Sequence, residues 1–170
     1  MKWAIHGMGV LFAAILGVPA VAYLIDARNR PARPGQFKTV ARLSELTEGV
    51  PHQAVIEEAR FDAWTLHPND VIGRVWLIRR DKETVEAYTT ICPHLGCSVN
   101  FEEKNRLFIC PCHGGTFDIH CQRVERPGFA NPAPRGMDRL ECRRDPADPD
   151  LIQVRFENFR QGEPTPIPKV

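Results

Sequence analysis

Two short Cys/His boxes constrain this chain more than any other feature. They are Cys92-Pro93-His94-Leu95-Gly96-Cys97 and Cys110-Pro111-Cys112-His113-Gly114-Gly115, and twelve residues separate them. Four of the six cysteines and two of the six histidines fall inside them. Cys92 and His94 are two apart, Cys110 and His113 three apart, so each pair on a tight loop can point at one metal atom. Pro93, Gly96, Pro111, Gly114 and Gly115 supply the sharp turns. Soft thiolates suit zinc or the iron of an iron–sulfur cluster, and imidazole suits either. A structural zinc site would use Cys92, His94, Cys110 and His113 on one tetrahedral ion. A [2Fe–2S] cluster would take the two cysteines on one iron and the two histidines on the other. The order Cys-x-His then Cys-x-x-His departs from the common zinc-finger order of two cysteines before two histidines, which favours the cluster.

The remainder of the chain reads as support for this site. Its 170 residues suit one folded domain plus accessories. The net charge of +1, with no basic run carrying interleaved aromatics, argues against nucleic acid as a partner. Ten of the fifteen prolines gather at 31–34, 127–134, 146–149 and 164–168, which marks linkers and loops.

Trp3–Ile25 carries no formal charge. As a helix it would span roughly 35 Å, enough to cross a bilayer. Trp3 and Tyr23 sit near its ends, where interfacial aromatics belong. A cleaved signal peptide is the competing reading, with Lys2 as its basic start and Ala20-Val21-Ala22 as a small-residue cleavage site. Residues 1–25 are therefore expected as a single transmembrane anchor in contact with lipid. Residues 26–36, with Pro31, Pro34 and Gly35, are expected as a linker, either a plain connection or a hinge. Arg28, Arg30 and Arg33 follow the apolar run, and a simple positive-inside count would put the following domain in the cytoplasm.

From Phe37 the pattern becomes β-rich. Strands are expected at 37–43, 54–64, 74–80, 84–90, 106–109, 116–119, 137–143 and 151–157, with a turn at 44–46 and a hairpin connection at 81–83. Short strands with turn-rich spacers predict a mainly β domain over 37–159, an antiparallel sandwich or barrel. The tail 160–170 is expected to be extended.

The boxes C-P-H-L-G-C and C-P-C-H-G-G resemble those of the Rieske iron–sulfur family, and most closely the Rieske subunit of quinol–cytochrome c reductases, the cytochrome bc-type complexes. Asn131-Pro132-Ala133-Pro134-Arg135 resembles the G-P-A-P segment that covers the cluster in that family, with Asn131 in place of the first glycine. The resemblance implies an antiparallel β-sandwich head with a small cluster-binding subdomain at about 90–135, and one Rieske-type [2Fe–2S] cluster, with Cys92 and Cys110 on the buried iron and His94 and His113 on the outer one. It implies a disulfide between Cys97 and Cys112, closing a loop worth about 3 kcal/mol in chain entropy. It also implies a quinol that gives an electron to the cluster and a proton to an exposed histidine, foremost His113, with Leu95, Pro132 and Pro134 forming an apolar rim. The partners implied are a cytochrome b subunit and a c-type cytochrome within a dimeric complex.

Such a disulfide persists outside the reducing cytosol, so the head is expected on the outer, periplasmic-type face of a bacterial cell membrane, against the arginine count. Family members are exported folded, and the twin-arginine pair usual before their anchor is missing here. Higher-potential members carry a serine and a tyrosine after the second box that donate hydrogen bonds to cluster sulfur. Gly115 and Phe117 stand in those places, which predicts a lower potential and a low-potential donor such as menaquinol. Cys121 and Cys142 read as free thiols, with a second disulfide as the alternative. His6, His52, His67 and His120 read as solvated, and 139–150 as a solvated charged loop. Other functions weighed are an arsenite-oxidase-like small subunit, a soluble Rieske ferredoxin and a structural zinc domain.

Overall fold

The structure, a computed structural model, describes residues 2–29, 35–62 and 64–169. These fall into two units, an N-terminal helix and a β-rich head.

The helix, α1, runs Lys2–Asn29, four residues beyond the expected end of the anchor. Pro19 lies inside it; its missing N–H leaves one i→i−4 bond unmade without ending the helix. The stretch Lys2–Ile25 is long and apolar enough to cross a membrane, and its residues are exposed on every side. A helix apolar all round needs an apolar solvent or partner. Of the expected linker, 30–34 lie outside the described residues.

The head is built from antiparallel strands: β1 Phe37–Arg42, β2 Pro51–Asp62, β3 Thr65–Arg79, β4 Val85–Thr89, β5 Asn100–Glu102, β6 Leu107–Ile109, β7 Thr116–Phe117, β8 Arg139–Arg144 and β9 Leu151–Arg155. Six form one sheet in the order β1-β9-β8-β4-β3-β2, and β5-β6-β7 form a second, smaller sheet. Lys38 Nζ of β1 lies 2.9 Å from Glu58 Oε1 of β2, so the six-stranded sheet coils until its edge strands meet. The second sheet and both boxes lie between residues 92 and 117.

Strand β3 explains how one chain supports two cores. Side chains alternate across a strand, and at Val75–Ile78 both faces are buried. Val75 and Leu77, with Ala87, Leu140, Ile152, Val154 and Phe159, fill the inside of the large sheet. Trp76 and Ile78, with Tyr88, Val99, Phe108, Phe117, Cys121 and Met137, fill a second core that also contains Cys92 and Cys110. The Trp76 indole N–H donates to the Val99 carbonyl at 3.1 Å. Its ring meets Phe108 edge-on at 5.3 Å, a geometry worth about 1 kcal/mol beyond burial. Trp76 therefore bolts the small sheet, and the boxes with it, to the large one.

Three parts depart from the sequence-based expectation. Thr65–Gly73 continues β3, pairing with β2 out to Asp62 and Thr65; Pro68 hid it, and it sits where the register shifts between Glu58 and Arg60. Strand β5 was not anticipated, because its three residues are too short for a periodic pattern. The tail does not stay extended: Arg160 N–H donates to Ile167 O at 2.8 Å and Lys169 N–H to Asn158 O at 2.7 Å, folding it back on itself.

Candidate metal centre

The boxes are two copies of one loop. In the first, Cys92 N–H donates to Cys97 O at 2.8 Å and Gly96 N–H to Cys92 O at 3.0 Å. In the second, Cys110 N–H donates to Gly115 O at 2.8 Å and Gly114 N–H to Cys110 O at 3.0 Å. Each loop closes on a glycine four residues after its first cysteine, Gly96 at φ +88° and Gly114 at φ +70°, which an L side chain rarely adopts. Each first cysteine is buried at the loop base, beside the Phe108 and Phe117 core. His94 and His113 project from the loop crowns, with ring centroids 5.0 Å apart and planes at 86°. His94 is half-buried and His113 exposed.

Cys97 and Cys112 form a disulfide that ties the loops together. Their sulfurs and that of Cys110 lie within 4.8 Å of one another. A bonded pair offers no thiolate, so within this sulfur group only Cys110 is a metal donor. Burial pushes the Cys92 thiol up to about 11 against the opposing backbone N–H of His94, with Cys110 close by raising it further. Two adjacent thiolates in a dry pocket require a positive group between them. Backbone N–H groups of His94 and Leu95 directed at the Cys92 sulfur favour its anionic form. The donor set therefore fits a cationic metal group that is sulfur-bound at its base and imidazole-bound at its crown.

Around this set stand two further segments. Asn131 is buried and joins the proline loop to the second box: its Nδ2 donates to Thr116 O and, at 2.9 Å, to Val124 O, and its Oδ1 accepts from Ala133 N–H at 3.0 Å. The asparagine that replaces a glycine thus works through its side chain. Leu95 is 65% exposed and Pro134 exposed, while Pro132 is half-buried. Gly115 is buried, and a Cβ built there would lie 3.4 Å from Cys92 Sγ. Phe117 is fully buried.

The second segment escaped the sequence reading. The turn Arg126-Pro127-Gly128-Phe129 has Gly128 at φ +74° and closes with Phe129 N–H donating to Arg126 O at 3.0 Å. Its Pro-Gly centre is a strong turn signature, but nothing local says that it folds onto Gly114. The folded-back tail also reaches the site, since Gly162 N–H donates to Pro93 O at 2.8 Å. Cys121 and Cys142 are free and belong to different cores.

Comparison with known proteins places this geometry. The model of the Rieske [2Fe-2S] domain matches residues 36–143. The chain is 29% identical over 121 residues to the menaquinol:cytochrome c reductase iron-sulfur subunit of Bacillus subtilis, covering 69% of this chain and 70% of that one. It is 28% identical to the protein of the same description from Geobacillus thermodenitrificans, covering 83% and 81%. It is 24% identical to the cytochrome b6-f complex iron-sulfur subunit of Chlorobaculum thiosulfatiphilum, covering 72% and 59%.

Proposed function

Because this chain belongs to the Rieske [2Fe-2S] domain family, we infer that its paired loops carry one [2Fe–2S] cluster, with Cys92 and Cys110 as the buried ligands and His94 and His113 as the outer ones. The chain is then the electron-transfer subunit of a membrane quinol–cytochrome c oxidoreductase. The observation that carries this reading is the doubled loop, which sets two imidazoles 5.0 Å apart above a buried cysteine pair and is clamped by the Cys97–Cys112 disulfide.

When bound, the cluster supplies a one-electron relay between a quinol and a c-type cytochrome. The chain's own residues do the rest. His113, the more exposed imidazole, accepts a hydrogen bond from the quinol hydroxyl on its ring nitrogen left free of iron, and takes that proton as the quinol loses an electron. Leu95, Pro132 and Pro134 exclude water around it. The disulfide holds both crowns in register while charge changes. The second quinol electron leaves through the cytochrome b partner.

The quinol is menaquinol in this reading. The Bacillus and Geobacillus relatives are described as menaquinol:cytochrome c reductase subunits, and Gly115 and Phe117 offer no hydroxyl to the sulfurs. Residues 1–25 anchor the subunit in a bacterial membrane as a single span. Residues 26–36 tether a head that moves between quinol and cytochrome, and 37–159 form the cluster domain. The disulfide supports a position for that head on the outer, oxidising face, within a dimeric complex.

Reduced full-length protein should give a rhombic [2Fe–2S] EPR signal and co-purify from its membrane with b- and c-type haems. Zinc in place of iron, or a signal unchanged by His94→Ser or His113→Ser, would overturn the assignment.

A further inference from the structure

We propose that Arg126 is an electrostatic tuning residue of this metal centre, and that its charge raises the reduction potential of the group held by Cys92, His94, Cys110 and His113. The inference rests on the cluster reading above.

The Arg126–Phe129 turn lies directly on the second ligand loop. A Cβ placed on Gly114, the residue after His113, would come within 2.7 Å of the Phe129 ring and 3.0 Å of Arg126 Nη2. The guanidinium stands 5.0 Å from the Phe129 ring centroid, and its Nη2 approaches Gly114 O at 3.5 Å. Ring and cation together seal the backbone beside His113.

Among the described residues no carboxylate pairs with this charge. The adjacent carboxylate, Glu125, is turned away: it pairs with Arg123 at 2.5 Å and accepts Asn131 N–H at 2.6 Å. Arg126 Nε is buried with no hydrogen-bond partner among the described residues. A guanidinium in that position has left water on one edge without gaining a counter-ion. Such a placement costs free energy in the resting protein and is compensated when negative charge arrives nearby. Reduction would add one electron to the group held by His113, whose neighbour Gly114 the guanidinium contacts. A partly buried cation is screened weakly, so it favours the reduced form. Phe129 holds the guanidinium against the loop through its ring face.

This assignment also bears on the missing hydroxyls. With Gly115 and Phe117 unable to donate to sulfur, a fixed cation on the turn packed against that same loop offsets part of the loss without a hydrogen bond.

The test is a redox titration of full-length membrane protein, followed by the EPR signal of the reduced cluster. Arg126→Gln keeps the polar stem and removes the charge; its reduction constant should fall about fivefold, roughly 40 mV at 59 mV per tenfold for one electron. Arg126→Lys should recover most of the shift. Should the Gln variant lose its cluster, Arg126→Met, whose thioether can pack on Phe129, gives the same comparison. An unshifted potential in a loaded neutral variant overturns the proposal, as does a Lys variant displaced as far as Gln. Absence of the EPR signal from the wild-type chain would instead overturn the cluster reading itself.

Discussion

Gly162 N–H donates to the carbonyl of Pro93 at 2.8 Å, linking the C-terminal tail to the first ligand loop. Pro93 is almost wholly buried with the tail in place. Removing residues 161–170, which spares the buried Phe159, deletes this bond and the one from Arg135 to Glu163 O, and should lower stability by about 1–3 kcal/mol at roughly 0.5–1.5 kcal/mol per hydrogen bond. Denaturant melts of the truncated and full chains check this. Cluster loss on standing should also quicken, because the loop bearing Cys92 and His94 is no longer backed.

The ion pair Arg135–Asp138 stands at 2.7 Å with both side chains more than nine-tenths buried. Arg135 also donates to the carbonyls of Glu163 and Arg160, joining the proline loop to the tail. Arg135→Ala strands a buried carboxylate and should cost about 3–5 kcal/mol. The double variant Arg135→Ala/Asp138→Leu should be less destabilised than Arg135→Ala alone, since no unpaired charge remains. A double-mutant cycle by chemical denaturation decides it.

Position 115 faces the Cys92 sulfur, with Cys110 Cβ and Asn131 Oδ1 as its other neighbours. A serine Cβ there would sit 3.4 Å from Cys92 Sγ, an ordinary contact. Gly115→Ser should place a hydroxyl within reach of sulfur and raise the potential, with a several-fold larger reduction constant at 59 mV per tenfold. Protein-film voltammetry reads the change. A potential already equal to that of ubiquinol-linked members in the unaltered chain would contradict the menaquinol assignment.

Acid should weaken the head through Glu86. Burial acts to raise its pKa, but the Arg80 guanidinium at 2.6 Å, with Arg139 and Tyr88 beyond it, outweighs burial and holds the carboxyl below its ordinary value. A carboxyl depressed in the folded state contributes stability above its unfolded pKa, near 4.3, and loses it as pH falls through the lower folded value. Thermal stability should therefore decline from about pH 5 downward, and Glu86→Gln should flatten that decline in melts recorded across pH.

Four cysteines are free, and native labelling should miss all of them. Burial pushes the Cys142 thiol up to about 11, which leaves about one part in a thousand as thiolate at pH 8. Burial raises the fully enclosed Cys121 further still. A thiol reagent at pH 8 should react slowly with the folded, cluster-loaded protein and rapidly with four thiols once it is unfolded without reductant. A fifth or sixth fast thiol would mean that the Cys97–Cys112 bond is absent.

Much of the site was legible because its chemistry is local. Cys92–Cys97 and Cys110–Gly115 each close within six residues, so ligand order, turn glycines and the spare cysteines stand together in the chain. Strand β4 and the Arg74–Arg79 part of β3 were legible for the same reason, with apolar residues at strand spacing. The outer half of the β2–β3 hairpin was not, because Pro68 and a bulge break its alternation, and it is held by pairing with Glu57–Asp62 rather than by a buried face.

The amino-acid order alone determined the doubled Cys/His boxes, the apolar run of bilayer length and the β class, since metal preference, bilayer length and two-residue periodicity are properties of short stretches. Only the tertiary structure decided what surrounds the centre. Asn131 reaching Thr116, Gly162 reaching Pro93 and Arg126 lying on Gly114 join residues 12 to 69 positions apart. Such contacts exist only after β3 has divided the head into two cores and brought the small sheet, the proline loop and the tail to one end of it.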